Sequence, residues 1–271
     1  MNKQKIFCTL LSLTLLAGTV TIPASADETD TVTVFVTANN QGTLSQTSDG
    51  SILFNLPVEV TDLNQDGSFS ADEALQAAHK TYLSSADYET SSSEYGLSVH
   101  KLWGISTFNT LFFLNDKALS VDVGTATVSE GDRLTASVNQ DNTYFADWYT
   151  YFIPHEKTVA PDEAFTLSLQ GFCGMAYPPE DAVPVAGISV GTWENGSFHA
   201  MEDAVTDDNG SVTLSFAEAG TYYITASGTV TDEVMDYSSF QYVTADCPII
   251  APGCSVTVTT DFSADDTPEQ E

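Results

Sequence analysis

Residues Asp62–Glu73 read DLNQDGSFSADE, and the spacing within this stretch decides how the first half of the chain is divided. Asp62, Asn64 and Asp66 stand at alternate positions, Gly67 follows, and Glu73 closes the run at its twelfth residue. A Ca2+ loop needs hard oxygen ligands at positions one, three and five, a glycine for the sharp turn, a backbone carbonyl at position seven and a carboxylate at position twelve. Asp62, Asn64, Asp66, Ser68 and Glu73 supply that set, with Ser70 placed to act through a water. Three negative charges crowded into so short a loop repel one another, and a divalent cation removes the conflict. The same letters carry a second reading. Ser70-Ala-Asp-Glu73 is a capping box, and Asp62 and Asn64 suit turns that bond their own backbone. Glu73 serves both readings, because it stands in the first turn of the helix expected to follow.

Outward from the loop, TVTVFVT (31–37) and residues 51–60 alternate apolar and polar side chains, the period of strands. A strand therefore enters the loop where a paired EF-hand has a helix, which favours one structural ion over an opening sensor. Residues 71–83 put Ala74, Leu75, Ala78 and Tyr82 on one helical face, with His79 expected at the surface or rim. The polar run SSADYETSSSE (84–94) reads as loop. Further strands are expected at 109–115, 125–128, 133–138 and 148–153. Strands, one helix and more strands make an α+β unit over 28–155, carrying the EF-hand-type loop at 62–73.

Prolines 154 and 161 bracket a shift in pattern. Beyond it, short strands separated by turns predict an all-β sandwich over 160–262. Asn195-Gly196 and Asn209-Gly210 are its strongest hairpin signals, since Asn-Gly accepts the positive φ of tight turns.

Lys3 and Lys5, an apolar run and Ala24-Ser25-Ala26 have the plan of a secretory signal peptide over 1–26. Cys8 lies in the apolar run without the small residues of a lipid-attachment site. No later apolar run approaches the ~20 residues of a membrane span. Cleavage leaves five of the seven basic residues against thirty-eight acids, a formal charge of −33. Such a surface excludes nucleic acid and anionic membrane as partners and suits a cation-rich medium outside the cell. Residues 263–271 form an acidic tail. The expected location is secreted or extracellular, with cell-surface association that involves no covalent anchor.

Three cysteines remain, Cys173, Cys247 and Cys254, an odd count that permits one bridge. Cys247 and Cys254 flank a short loop, whose closure would contribute roughly 2 kcal/mol; Cys173 pairing with either is the alternative.

Two resemblances follow. VTDLNQDGSFSADEALQAAHKTY, GLSVHKLWG, FFLND (with Phe113 and Asn115) and VSEGDRLTA (with Gly131-Asp132) resemble the transcobalamin-like C-terminal domain, found in secreted proteins of Gram-positive gut bacteria. That resemblance implies a β-grasp-like fold for the first unit. TDDNGSVTLSFAEAGTYYITASG resembles bacterial immunoglobulin-like modules. Tyr222 stands at the place of their tyrosine corner, and Ile224 at the place of the second core cysteine. The expected fold is thus an α+β β-grasp-like domain followed by an all-β immunoglobulin-like sandwich.

Neither resemblance brings catalytic residues. Gly187-Ile-Ser189-Val-Gly191 has the nucleophile-elbow spacing but sits in a strand pattern, not on a strand-to-helix turn. His155-Glu156 lacks the second histidine of a zinc protease, and a thiol pair of Cys173 with His155 or His199 conflicts with an oxidising compartment. Trp103, Trp148, Tyr149 and Tyr151 are candidates for a ligand face, weighed against a core role. These features point to a secreted, non-catalytic, calcium-binding modular protein with an adhesion or scaffold role toward an extracellular glycan or surface protein. A small-ligand carrier of the corrinoid type is the alternative, and a polysaccharide hydrolase a further one.

Overall fold

A computed structural model describes residues 31–176 and 180–261. The signal peptide expected over 1–26 and the acidic tail expected over 263–271 lie outside the described residues. Among those residues 53% are in strands and 7% in helix. This content overturns the α+β, β-grasp-like expectation for the first half: the chain is nearly all β, and an all-β sandwich is compatible with it. Strand pairing by polar segments accounts for much of the difference. Glu89–Ser93, inside the serine-rich stretch that reads as loop, forms a strand against Gly96–Leu102, since edge positions tolerate Ser and Thr when pairing satisfies their backbone.

The first half contains β1 (Thr31–Asn40), β2 (Thr43–Leu44), β3 (Leu56–Thr61), α1 (Ala71–Tyr82), β4 (Glu89–Ser93), β5 (Gly96–Leu102), β6 (Ile105–Ser106), β7 (Thr110–Leu114), β8 (Lys117–Ala118) and β9 (Arg133–Val138). β1 is the axis of the main sheet. It pairs antiparallel with β3 from Thr31↔Thr61 to Val36↔Leu56, and parallel with β9 from Phe35↔Arg133 to Asn40↔Val138. β7 and β8 continue beyond β9, while β4, β5 and β6 form a separate small sheet. Alternation along β1 and β3 sends Val34, Val36, Val58 and Val60 against Ala74, Leu75 and Ala78 of α1. Residues 125–128, expected as a strand, make a single bridge, Ser70↔Thr127. Their backbone instead meets the start of α1, with Ala71 N–H donating to Ala126 O at 2.8 Å.

The second half contains β10 (Trp148–Ile153), β11 (Glu156–Val159), β12 (Phe165–Cys173), β13 (Val183–Pro184), β14 (Ser189–Glu194), β15 (Ser197–Val205), β16 (Ser211–Leu214), β17 (Gly220–Ser227), β18 (Thr229–Asp236), β19 (Gln241–Ile250) and β20 (Cys254–Val258). One sheet runs β13-β12-β10-β19-β18 with β16 beside β12; the other runs β11-β20-β17-β14-β15. Phe152, Leu167 and Leu169 of the first meet Val190, Ile224 and Val256 of the second in one core. The sequence pattern places Trp148–Ile153 in the first unit, but its hydrogen bonds are to β12 and β19.

The two cores are in contact. Leu44 and Phe54 pack with Trp193 and Ala251, and Phe113 stacks on Tyr149 with centroids 3.8 Å apart. This explains why the strict alternation of β1 fails at its end: Thr37 and Asn39 are buried as well as Val36 and Ala38. Asn39 Nδ2 donates to Ala251 O at 2.8 Å.

Candidate functional site: the Asp62–Glu73 loop

The loop spans the gap between the end of β3 and the start of α1. Its side chains are ordered by its own amides. Asp62 accepts from Asp66 N at 3.2 Å through Oδ1 and from Gly67 N at 2.8 Å through Oδ2. Asn64 Oδ1 accepts from Asp66 N at 2.9 Å, and Asp66 Oδ1 accepts from Ser68 N at 2.9 Å and Ser68 Oγ at 2.6 Å. The Ser68 hydroxyl first, then its amide and the Asn64 side chain, hold the Asp66 carboxyl below its ordinary value. Gln65 and Gly67 have positive φ, 59° and 86°. A Cβ built on Gly67 meets nothing within 4 Å, so glycine is needed there for conformation and not for space.

Glu73 closes the loop. Only 4% exposed, it accepts from Leu63 N at 2.7 Å through Oε1. Its Oε2 accepts from Ser70 N at 2.9 Å and Ser70 Oγ at 3.0 Å, while Glu73 N donates to Ser70 Oγ at 3.2 Å. The capping box therefore exists, and the same carboxylate returns to the amides at the loop's second and third positions. An ionised carboxylate offers about four lone-pair directions, so oxygens that hold amides keep acceptor capacity for a cation. The donor set of Asp62, Asn64, Asp66, Ser68 and Glu73 is all oxygen, the chemistry a hard cation requires. In the described arrangement these carboxylates face amides. Among the described residues no three His, Cys, Asp or Glu side chains form a metal-gripping group.

A cavity of about 390 Å³ adjoins the loop, lined by Glu59, Leu63, Glu73, His79, Lys80 and Tyr88 among others. His79, expected at the surface, is fully buried. Its ring lies between Tyr88 and Trp103, at centroid distances of 4.9 and 4.3 Å. Nδ1 lies 2.8 Å from Leu75 O, which requires a proton there and leaves Nε2 to accept from Trp103 N at 3.3 Å. Burial lowers the pKa of this imidazole, so it is a neutral packing group.

The four aromatic candidates are not gathered on one face. Trp103 is 7% exposed and donates from Nε1 to Ala136 O; Trp148 is buried and donates to Asp232; Tyr149 is buried under Phe113; Tyr151 is half-buried beside His155. The large exposed aromatics are elsewhere: Tyr95, Phe108, Tyr237, Phe240 and Tyr242. Cys173, Cys247 and Cys254 are free thiols. Burial pushes Cys247 and Cys254 up to about 12. Ser189 is the first residue of β14, paired on both sides with Val205 and Ser227.

One cluster escapes sequence reasoning. Asp116, in the β7–β8 turn, accepts from Tyr149 Oη at 2.9 Å and lies 2.8 Å from His155 Nε2 and 3.5 Å from Arg133 Nη2. Burial by itself raises the Asp116 carboxyl, but His155, Tyr149 and Arg133 outweigh it and hold the group below its ordinary value. The available signals are that Arg133 is the sole arginine of the chain, and that Asn115-Asp116 suits a tight hairpin turn.

No family model matches the chain, and no curated protein sequence matches it.

Proposed function

We propose that this chain is an exported, non-catalytic binding or scaffold protein whose first half is ordered by calcium in the Asp62–Glu73 loop. The observation that carries this reading is the return of Glu73 to the Leu63 amide. That bond draws the twelfth position back to the second, the closure a loop wrapped around an ion requires. The ion would neutralise Asp62, Asp66 and Glu73 and thereby fix where β3 ends and α1 begins. The strand that enters the loop supports a structural ion over a sensor pair. Extracellular calcium modules bind at ~10⁻⁴–10⁻³ M, and that range is expected here. The resemblance of the second half to immunoglobulin-like modules belongs to the same proposal. Isothermal titration of the calcium-free chain tests it: saturable heat in that range supports the reading, and no heat with wild type rejects it.

A further inference from the structure

β18 and β19 pair over eight positions, from Thr229↔Pro248 to Asp236↔Gln241, and are joined through Tyr237-Ser-Ser-Phe240. β19 meets β10 only at Trp148↔Ile249 and Tyr149↔Ile250. The outer part of the hairpin is therefore a two-stranded ribbon with no third strand beside it, its inward side chains Val234 and Val243 packed on the core and Tyr237 set edge-on to Phe145. Val234 turns inward, 5% exposed. Strand alternation then puts Glu233, Met235 and, opposite Met235, Tyr242 on the outward face. Glu233 and Tyr242 are diagonal neighbours there, within reach of one bound side chain.

The tip is aromatic and held in place. Phe240 is 80% exposed, Tyr242 65% and Tyr237 50%. Phe240 has φ 54°, a conformation seldom taken by a bulky side chain. Its N–H donates to Asp236 O at 2.7 Å, and the Ser238 and Ser239 hydroxyls each donate to the Asp236 carboxylate at 2.7 Å. Large apolar groups so displayed mark interaction surfaces. Their electrostatic setting selects the partner: Asp232, Glu233, Asp236 and Asp246 all belong to the ribbon, and no Lys or Arg does. Exposed ring faces beside carboxylates attract ammonium and guanidinium groups.

We propose that the tip of the β18–β19 ribbon docks a basic polypeptide, taking Lys or Arg side chains over Phe240 and Tyr242 with Glu233 as the charged neighbour. This rests on the binding role proposed above and not on the calcium ion, which belongs to the other core. The test is fluorescence anisotropy of a labelled Arg-Ser repeat peptide titrated with the full mature chain at physiological salt, in calcium and in chelator. Wild type is expected to bind in both. Phe240→Ala/Tyr242→Ala, which leaves the charge unchanged, is expected to weaken binding at least tenfold while keeping the wild-type melting temperature, since both side chains are exposed. Glu233→Gln is expected to weaken it to a smaller extent. Equal binding by the aromatic double variant would reduce the interaction to bulk charge and overturn the proposal. So would the absence of peptide binding by wild type, whether or not immobilised glycans are bound instead. Peptide binding without any calcium response would reject the calcium reading alone, and a calcium response without peptide binding would reject this proposal alone.

Discussion

Glu73 is the residue on which the loop turns, because one buried carboxylate caps α1 and closes the segment before it. Glu73→Gln keeps one acceptor oxygen but removes the charge. It is expected to weaken calcium binding at least tenfold in a calorimetric titration and to lower the melting temperature more in calcium than in chelator; an equal drop in both would assign Glu73 to the cap alone. Gly67 has open space around its α-carbon but a left-handed backbone. Gly67→Ala should therefore destabilise by roughly 1–2 kcal/mol, read from a urea midpoint, and an unchanged midpoint would show that the turn relaxes. Asp116 has a folded pKa below its unfolded value, so its stabilisation is complete above about pH 4 and is lost as pH falls through the depressed folded value. Asp116→Asn should make the acid limb of the stability curve shallower below pH 4. An acid limb as steep as wild type would remove Asp116 from that role. Of these residues, the turn at Gly67 and the cap at Glu73 were legible from spacing alone. Asp116 was not, since its partners come from β9, β10 and the turn after β10, and no local pattern records that meeting.

At the scale of the element, α1 is the clearest success of pattern reading. The helix expected over 71–83 is found over Ala71–Tyr82, with Ser70 as its N-cap and Ala74, Leu75 and Ala78 buried. Ser70→Ala should cost about 1 kcal/mol through loss of the cap, and a helix signal unaltered in thermal melts by circular dichroism would contradict that. His79 shows where periodicity fails. It stands at the edge of the face formed by Ala74, Leu75 and Ala78, and it is enclosed because Tyr88, just after the helix, and Trp103, beyond β5, close over its two ring faces. β4 fails for the converse reason. A serine-rich run carries no apolar alternation, but an edge strand needs only a partner's backbone, which β5 supplies. The aromatic run around Trp148 has the right density for a binding face. Its strand is central in a sheet, with Trp148 turned into the core of the second half and Tyr149 packed on Phe113 of the first, so both are buried.

Taken whole, the molecule is a chain of strands built around two cores that touch through Phe54, Trp193, Phe113 and Tyr149. A formal charge of −31 on the chain opposes this compactness by self-repulsion. Added monovalent salt should accordingly raise the melting temperature in chelator by several degrees, as screening shortens the reach of that repulsion, and a fall with salt would contradict it. Calcium should act at far lower concentration than screening does, because its effect depends on one site. The most direct measurement is the melting temperature of the chain in 5 mM CaCl₂, roughly fivefold above the upper end of the expected Kd range, against the same ionic strength of NaCl with chelator. A higher melting temperature in calcium that disappears in Glu73→Gln is the predicted result. Superimposable melting curves for wild type in the two solutions would contradict the calcium-ordered account.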